Sequence, residues 1–210
     1  MYLPKHFQAD PQQTRELLTG IRAADLVSAT PDGLFATFLP LLYQEAADGL
    51  GSLLGHVARK NDHWRLQPTG ESLVIAHGPD AYISPGWYAS KREHGRVVPT
   101  WNYLTAHIHG RLVIHDDPAW LESLVRRLTE RHERDRAPAW SVDDAPRDYV
   151  EGQLAAIVGV ELRISRVEAK AKLGQNRQSA DVDGVIAGLE HDGAGALAAA
   201  TERGRRERPL

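Results

Sequence analysis

The side chains best suited to chemistry in this 210-residue chain lie in four short stretches. In "GHVARKN", Arg59 and Lys60 follow a strand-like run and precede Asn61, and two adjacent cations can hold a phosphate dianion through charge-assisted hydrogen bonds. "ISPGWYASK" sets the Ser84 hydroxyl near the rings of Trp87 and Tyr88, and "VPTWNY" repeats that mixture with Thr100, Trp101, Asn102 and Tyr103. "KLGQNR" adds the cations Lys172 and Arg177 and the amides Gln175 and Asn176. Rings can stack on or flank a flat heteroaromatic ligand, and carboxamides match an edge of alternating donors and acceptors. Taken together, these stretches suit a flat, phosphorylated ligand. Each also has a plainer use, as a solvated basic loop, as aromatic packing at strand ends, or as a capped turn.

Other chemistries drop out. The chain has no cysteine, which excludes disulfides, thiolate metal sites and a cysteine nucleophile, and suits a reducing, cytoplasmic compartment. No Walker-type glycine loop or His-Glu-x-x-His is present, and the Gly-x-Gly-x-x-Ala at Gly193 to Ala198 follows a helical pattern rather than a strand. His107 and His109 would share one strand face, yet no acidic neighbour completes a ligand set, so no metal site is expected. Ser28, Ser84 and Ser90 lack the Gly-x-Ser-x-Gly context of an activated serine. A formal net charge of −3 and the lack of a helix-turn-helix pattern give no support to direct DNA binding. The one arginine cluster, Arg203, Arg205, Arg206 and Arg208, falls at the C-terminal end.

The elements that must position these residues follow from punctuation and period. Asp10 and Pro11 open a helix near 10–22 with Leu17, Leu18 and Ile21 as its apolar stripe. "LVSAT" and "LFATFLPLL" flank the turn "PDG" and predict a hairpin, and "ADGLGSLLGHVA", "ESLVIAHG" and a short "AYISPGWY" predict further strands. In "LTAHIHGRLVIH" alternation puts Tyr103, Thr105, His107 and His109 on a polar face and Leu104, Ala106 and Ile108 on a buried one. Asp117 and Pro118 start the longest helix, "DDAPRDYVEGQLAAI" predicts a shorter one, "VGVELRISRVEAK" a late strand, and "SADVDGVIAGLEHD" a terminal helix. Many short strands with turn signals predict an antiparallel barrel with peripheral helices: one domain over 1–190, then a flexible tail over 191–210. The N-terminal "MYLPKHFQAD" has no secretory pattern, and no apolar run is long enough for a membrane.

The blocks "MYLPKHF", "GHVARKN", "GPDAYISPGWY", "HGRVVPTWNY" and "KLGQNR", in this order from Met1 to about Leu189, resemble the signature blocks of the PaiB-like family of FMN-binding negative transcriptional regulators. The resemblance implies a mainly β (α+β) fold, a split β-barrel of the FMN-binding and pyridoxamine phosphate oxidase type with peripheral helices. It also implies a homodimer with FMN at the subunit interface. On this expectation Arg59, Lys60 and Ser84 hold the phosphate, with Asn61 beside them. Trp87, Tyr88 and Trp101 border the ring, and Asn102, Gln175 and Asn176 offer amide contacts. Thr100, Lys172 and Arg177 complete the set. Gly174 departs from the family's usual serine, which would remove one hydroxyl from the ligand. A regulator or flavin-dependent sensor is the first expectation. An FMN-dependent oxidoreductase using NAD(P)H is the alternative, and a haem-binding or haem-degrading barrel with His56 or His107 as axial ligand is the third.

Overall fold

Asp10 caps the first helix as its place before Pro11 predicts: its carboxylate accepts the backbone N–H of Gln13 at 2.8 Å, and α1 spans Pro11–Gly20. The computed structural model describes residues 1–47 and 49–206, with the backbone alone at Arg206. Arg208 and the side chain of Arg206, part of the arginine cluster, lie outside the described residues.

The predicted hairpin is present. β1 (Ala23–Thr30) pairs with β2 (Gly33–Gln44) in a register that ends at Thr30 opposite Gly33. Gly33 has φ +119°, which a side chain would strain, and Thr30 donates its hydroxyl to the Gly33 carbonyl at 2.9 Å. β3 (Ser52–Ala58) pairs with β2 and with β6 (Ile157–Lys172). β4 (Ser72–Ile83) and β5 (Thr100–His115) complete a six-stranded sheet in the order β1-β2-β3-β6-β5-β4 that closes into a barrel. This is the expected α+β split-barrel architecture. One local expectation is corrected: the short strand expected at "AYISPGWY" is the far end of β4, followed by a 3-10 turn at Pro85–Trp87. The strand continues because Gly78, having no Cβ, lies against Leu104, whose Cβ would stand 2.9 Å from one.

The described residues pack as two compact units, those of 18–76 with 107–167, and those of 1–17 with 77–106 and 168–206. In the unit built on 18–76, alternation along β1 buries Ala24, Leu26 and Ser28, and Leu39, Leu41, Leu53, Val158, Val160 and Leu162 are buried with them. Helix α3 (Pro118–Glu133), capped by Asp117, covers Leu54 with Leu124 and Leu128. Its Leu121 meets Val150 and Leu154 of α4 (Arg147–Ala155). Trp120 fills the space left by Gly159, its ring 2.2 Å from where a Cβ would stand, and stacks on His115 at 4.1 Å.

The unit that contains the N-terminus holds α1's Leu17, α2 (Ser90–His94) and a helical pair, α5 (Ser179–His191) and α6 (Gly195–Arg206). The pair buries Val182, Val185, Leu189, Leu197 and Ala198. A flexible tail is expected from 191, yet residues 195–206 are helical, because small apolar side chains let α6 pack closely. No described helix is long and apolar enough to cross a membrane.

Candidate functional site

Residues drawn from β4, β5, β6 and the loop after β6 meet in the unit that contains the N-terminus. Strand period explains the grouping: Lys170 and Lys172, two apart on β6, share a face, as do Trp101 and Tyr103 on β5. Lys172 Nζ donates to the Thr100 hydroxyl at 2.5 Å and to the Trp101 carbonyl at 2.7 Å. The Tyr103 ring receives both ammonium groups, Lys170 at 5.4 Å and Lys172 at 5.9 Å from its centroid. Lys170 also donates to the Tyr2 carbonyl at 3.2 Å.

Among the described residues no carboxylate pairs with either lysine. Burial, with the like charges of Lys170 and Arg177 adding to it, holds the Lys172 ammonium below the usual lysine range. Arg177 lies over the Tyr88 ring at 4.6 Å. Trp101 is half exposed and meets the similarly exposed Tyr82 edge to face, 6.3 Å between centroids.

Asn102 is 3% exposed, and among the described residues its carboxamide makes no hydrogen bond. Beside it, Gly174 takes φ +79°, and an added Cβ would lie 3.9 Å from the Asn102 amide nitrogen. A left-handed backbone favours glycine at this position.

Other sequence-predicted residues are occupied within the chain. The Ser84 hydroxyl accepts from the Gly86 N–H at 3.1 Å and caps the 3-10 turn. Trp87 lies against α5, with its ring within 2.2 Å of where a Gly188 Cβ would be and its carbonyl against Gly184. Both ends of the Gln175 carboxamide serve its own loop, accepting from Leu173 N–H at 2.8 Å and donating to the Ala171 carbonyl. Asn176 is exposed. Next to this loop, Asp181 at the start of α5 accepts from both the backbone N–H and the hydroxyl of Ser90, each at 2.9 Å.

Arg59, Lys60 and Asn61 belong to the other unit. Arg59 holds Asp116 in a bidentate pair at 2.9 and 2.5 Å and donates to the carbonyls of Ala155 and Ile157 at 2.8 and 3.0 Å. That hydrogen-bonded pairing raises the Arg59 pKa and lowers that of Asp116. Asn61 caps the next turn by accepting from His63 N–H at 2.8 Å, and Lys60 is exposed. A phosphate at Arg59 would have to displace these partners.

The sequence reading missed Tyr82, Tyr2 and Lys170. For Lys170 a signal was available in its i, i+2 relation to Lys172. It also missed a buried polar chain in the unit built on 18–76. His63, fully buried, meets Ser28 Oγ through Nε2 and Thr37 Oγ1 through Nδ1, each at 2.9 Å, and Ser28 meets Ser72 at 2.7 Å. No local pattern links four residues so far apart. Of the expected haem ligands, His56 has a buried Nδ1 without a hydrogen bond and a pKa lowered by burial, and His107 is half-buried. Among the described residues no three His, Asp or Glu side chains cluster as a metal site would require.

Residues 1–166 match the model of a family described as "Putative FMN-binding domain". The chain is 33% identical over 196 residues to protease synthase and sporulation protein PAI 2 of Bacillus subtilis, a match that covers 91% of this chain and 90% of that protein. It is 30% identical over 156 residues to the uncharacterized protein YKL070W of Saccharomyces cerevisiae, covering 65% of this chain and 92% of that one. Among solved structures, the FAD and heme binding protein from Mycobacterium smegmatis is similar with a TM-score of 0.57 at 15% identity, covering 88% of this chain and 80% of that one. The conserved hypothetical protein Rv2991 from Mycobacterium tuberculosis is similar with a TM-score of 0.57 at 12% identity, covering 85% and 94%. At such identities the structural likeness shows the fold alone.

Proposed function

The chain belongs to the FMN-binding domain family, which makes FMN its cofactor, and from that premise we propose that it is a flavin-dependent sensor, a negative regulator of the PaiB type. The observation that supports the flavin assignment is the pair of ammonium groups of Lys170 and Lys172, which meet at the Tyr103 ring without a carboxylate partner among the described residues. The donor set fits the group. Lys172 and Lys170 supply positive charge that no carboxylate among the described residues neutralises, which suits a phosphate. Asn102 offers both a donor and an acceptor to a ring edge, and Trp101 and Tyr82 offer exposed aromatic flanks. Thr100 and the Trp101 carbonyl hold Lys172 in place, so little side-chain freedom remains to be lost on binding.

When bound, FMN supplies a redox-active ring whose oxidation state a sensor can report. The chain's part is to fix the phosphate, offer the Asn102 amide to the ring edge and shield the ring. The regulatory reading is supported by near full-length similarity to PAI 2, a protein named for protease synthase and sporulation rather than for a reaction. We place the regulator in the cytoplasm, in keeping with a cysteine-free chain. Direct DNA contact through a basic face has no support in its net charge of −3. Arg205, from the arginine cluster, is already paired with Asp183 and Glu202.

A homodimer is part of the proposal. The outward positions of β2, Leu34, Ala36, Phe38 and Pro40, form an apolar row in which Leu34 is 79% and Phe38 70% exposed. A second copy would cover such a row.

The experiment is an absorbance spectrum and FMN titration of the purified protein, followed by NADH and NADPH under anaerobic conditions. The expected result is a stable yellow complex that is not bleached in repeated turnover. Rapid bleaching with turnover would make the protein an oxidoreductase, and absence of flavin binding would overturn the reading.

A further inference from the structure

In the unit built on 18–76, three arginines line one cleft, and the charge of a fourth, Arg22, acts on one of them; among the described residues none of the four forms an ion pair. Arg126 on α3 forms ion pairs with Glu122 and Asp143 at 2.9 and 2.8 Å. By contrast Arg127, Arg131 and Arg134 on the same helix, and Arg22 just before β1, form no ion pair among the described residues. Arg127 donates to the Gln44 amide oxygen at 2.9 Å. Arg131 donates to two backbone carbonyls, Leu41 at 3.3 Å and Thr19 at 2.6 Å.

Carbonyls fix a guanidinium in position but do not cancel its charge. Burial first, and then the neighbouring charges of Arg22 and Arg134, push the Arg131 pKa below its ordinary value. The fold therefore spends stability to hold like charges together, which a compensating anion would return. Between these side chains lies a cleft of about 310 Å³, with Arg127, Arg131 and Arg134 on one side and Leu42 and Tyr43 on the other. Glu130 is the one carboxylate on its wall. This volume is at the small end of the range that metabolite sites occupy.

We propose that this cleft binds a small, multiply charged anion of the phosphate type, at a site separate from the residues assigned to FMN. Guanidinium forks match the spread oxygens of phosphate, and several of them favour an anion with more than one charge. An extended nucleic-acid backbone fits less well, because the site is concave and Glu130 stands on its wall. The inference does not depend on FMN binding, since none of its residues belongs to the flavin set.

The test is calorimetric titration of the full-length protein with inorganic pyrophosphate, in the presence and absence of FMN, with sulfate at matched ionic strength as control. Arg134→Gln with Arg22→Gln removes exposed charges and leaves the Arg131 anchors, whereas Arg92→Gln removes a charge from α2. Saturable binding that is indifferent to FMN, falls about tenfold or more in the double variant and is unchanged in Arg92→Gln supports the site. No saturable binding, equal affinity in the double variant, or competition between pyrophosphate and FMN would overturn it. So would tighter binding of a DNA duplex than of pyrophosphate through the same arginines, which would make the cleft part of a polymer contact.

Discussion

Lys172 shows how a single residue changes meaning between sequence and structure. In the chain it is one cation in "KLGQNR"; in the fold it is anchored by Thr100 and the Trp101 carbonyl, with no carboxylate to neutralise it among the described residues. Lys172→Gln is expected to raise the FMN dissociation constant about tenfold, equivalent to about 1.4 kcal/mol, measured by quenching of flavin fluorescence. Arg59→Gln tests the reverse. Because Arg59 serves Asp116 and two carbonyls, its loss should lower thermal stability more than flavin affinity. His63 makes a residue-scale prediction about pH. Burial lowers its pKa and that of His56, so the folded state binds a proton less readily than the unfolded chain. The stability this contributes is present above the unfolded histidine value of about 6.5 and is lost as the pH falls below it. Urea unfolding should therefore show a falling midpoint as the solution is acidified through that value, and a weaker dependence in His63→Gln.

At the scale of elements, the 3-10 turn Pro85–Trp87 and helix α5 depend on each other through two glycines. Gly184 and Gly188 leave room for the Trp87 carbonyl and ring, which real Cβ atoms would meet at 1.9 and 2.2 Å. Gly188→Ala should displace Trp87 and destabilise the protein by about 1–3 kcal/mol, read by denaturant unfolding and by loss of the near-ultraviolet tryptophan signal. Most of the elements were legible in the sequence because their period and caps are local: Asp10 with Pro11, Asp117 with Pro118, and the alternation in β5 from Ala106 to Gly110 each act within a few residues, although Thr105, expected on the polar face of β5, is buried and Leu104 only half-buried. The extension of β4 through Pro79 to Ile83 was not legible, since it depends on Leu104 meeting Gly78 from another strand. Helix α6 was also missed. Its sequence lacks a stop signal and has weak local cues, and its order comes from burial of Leu197 and Ala198.

For the whole molecule, the exposed apolar row on β2 is the feature with the clearest consequence. Phe38→Asp is expected to convert a dimer to a monomer, measured by gel filtration with light scattering, while leaving the internal packing of the barrel unchanged, because that side chain is 70% exposed. A wild-type protein that is monomeric at micromolar concentration would remove the dimer from the proposal. The order of the sequence blocks and the alternation of its strands were enough to indicate a split barrel and an FMN-binding family, since both are written as local pattern along the chain. Which members of those blocks face a ligand was a different matter. Arg59, Asn61, Ser84, Trp87 and Gln175 read as binding residues by type, yet each has a partner within the protein. Lys172, Arg22 and the arginines Arg127, Arg131 and Arg134 along α3 stand out because, among the described residues, their charges have no carboxylate partner. Composition fixes how many polar groups the chain has, but only the tertiary structure decides which of them find partners.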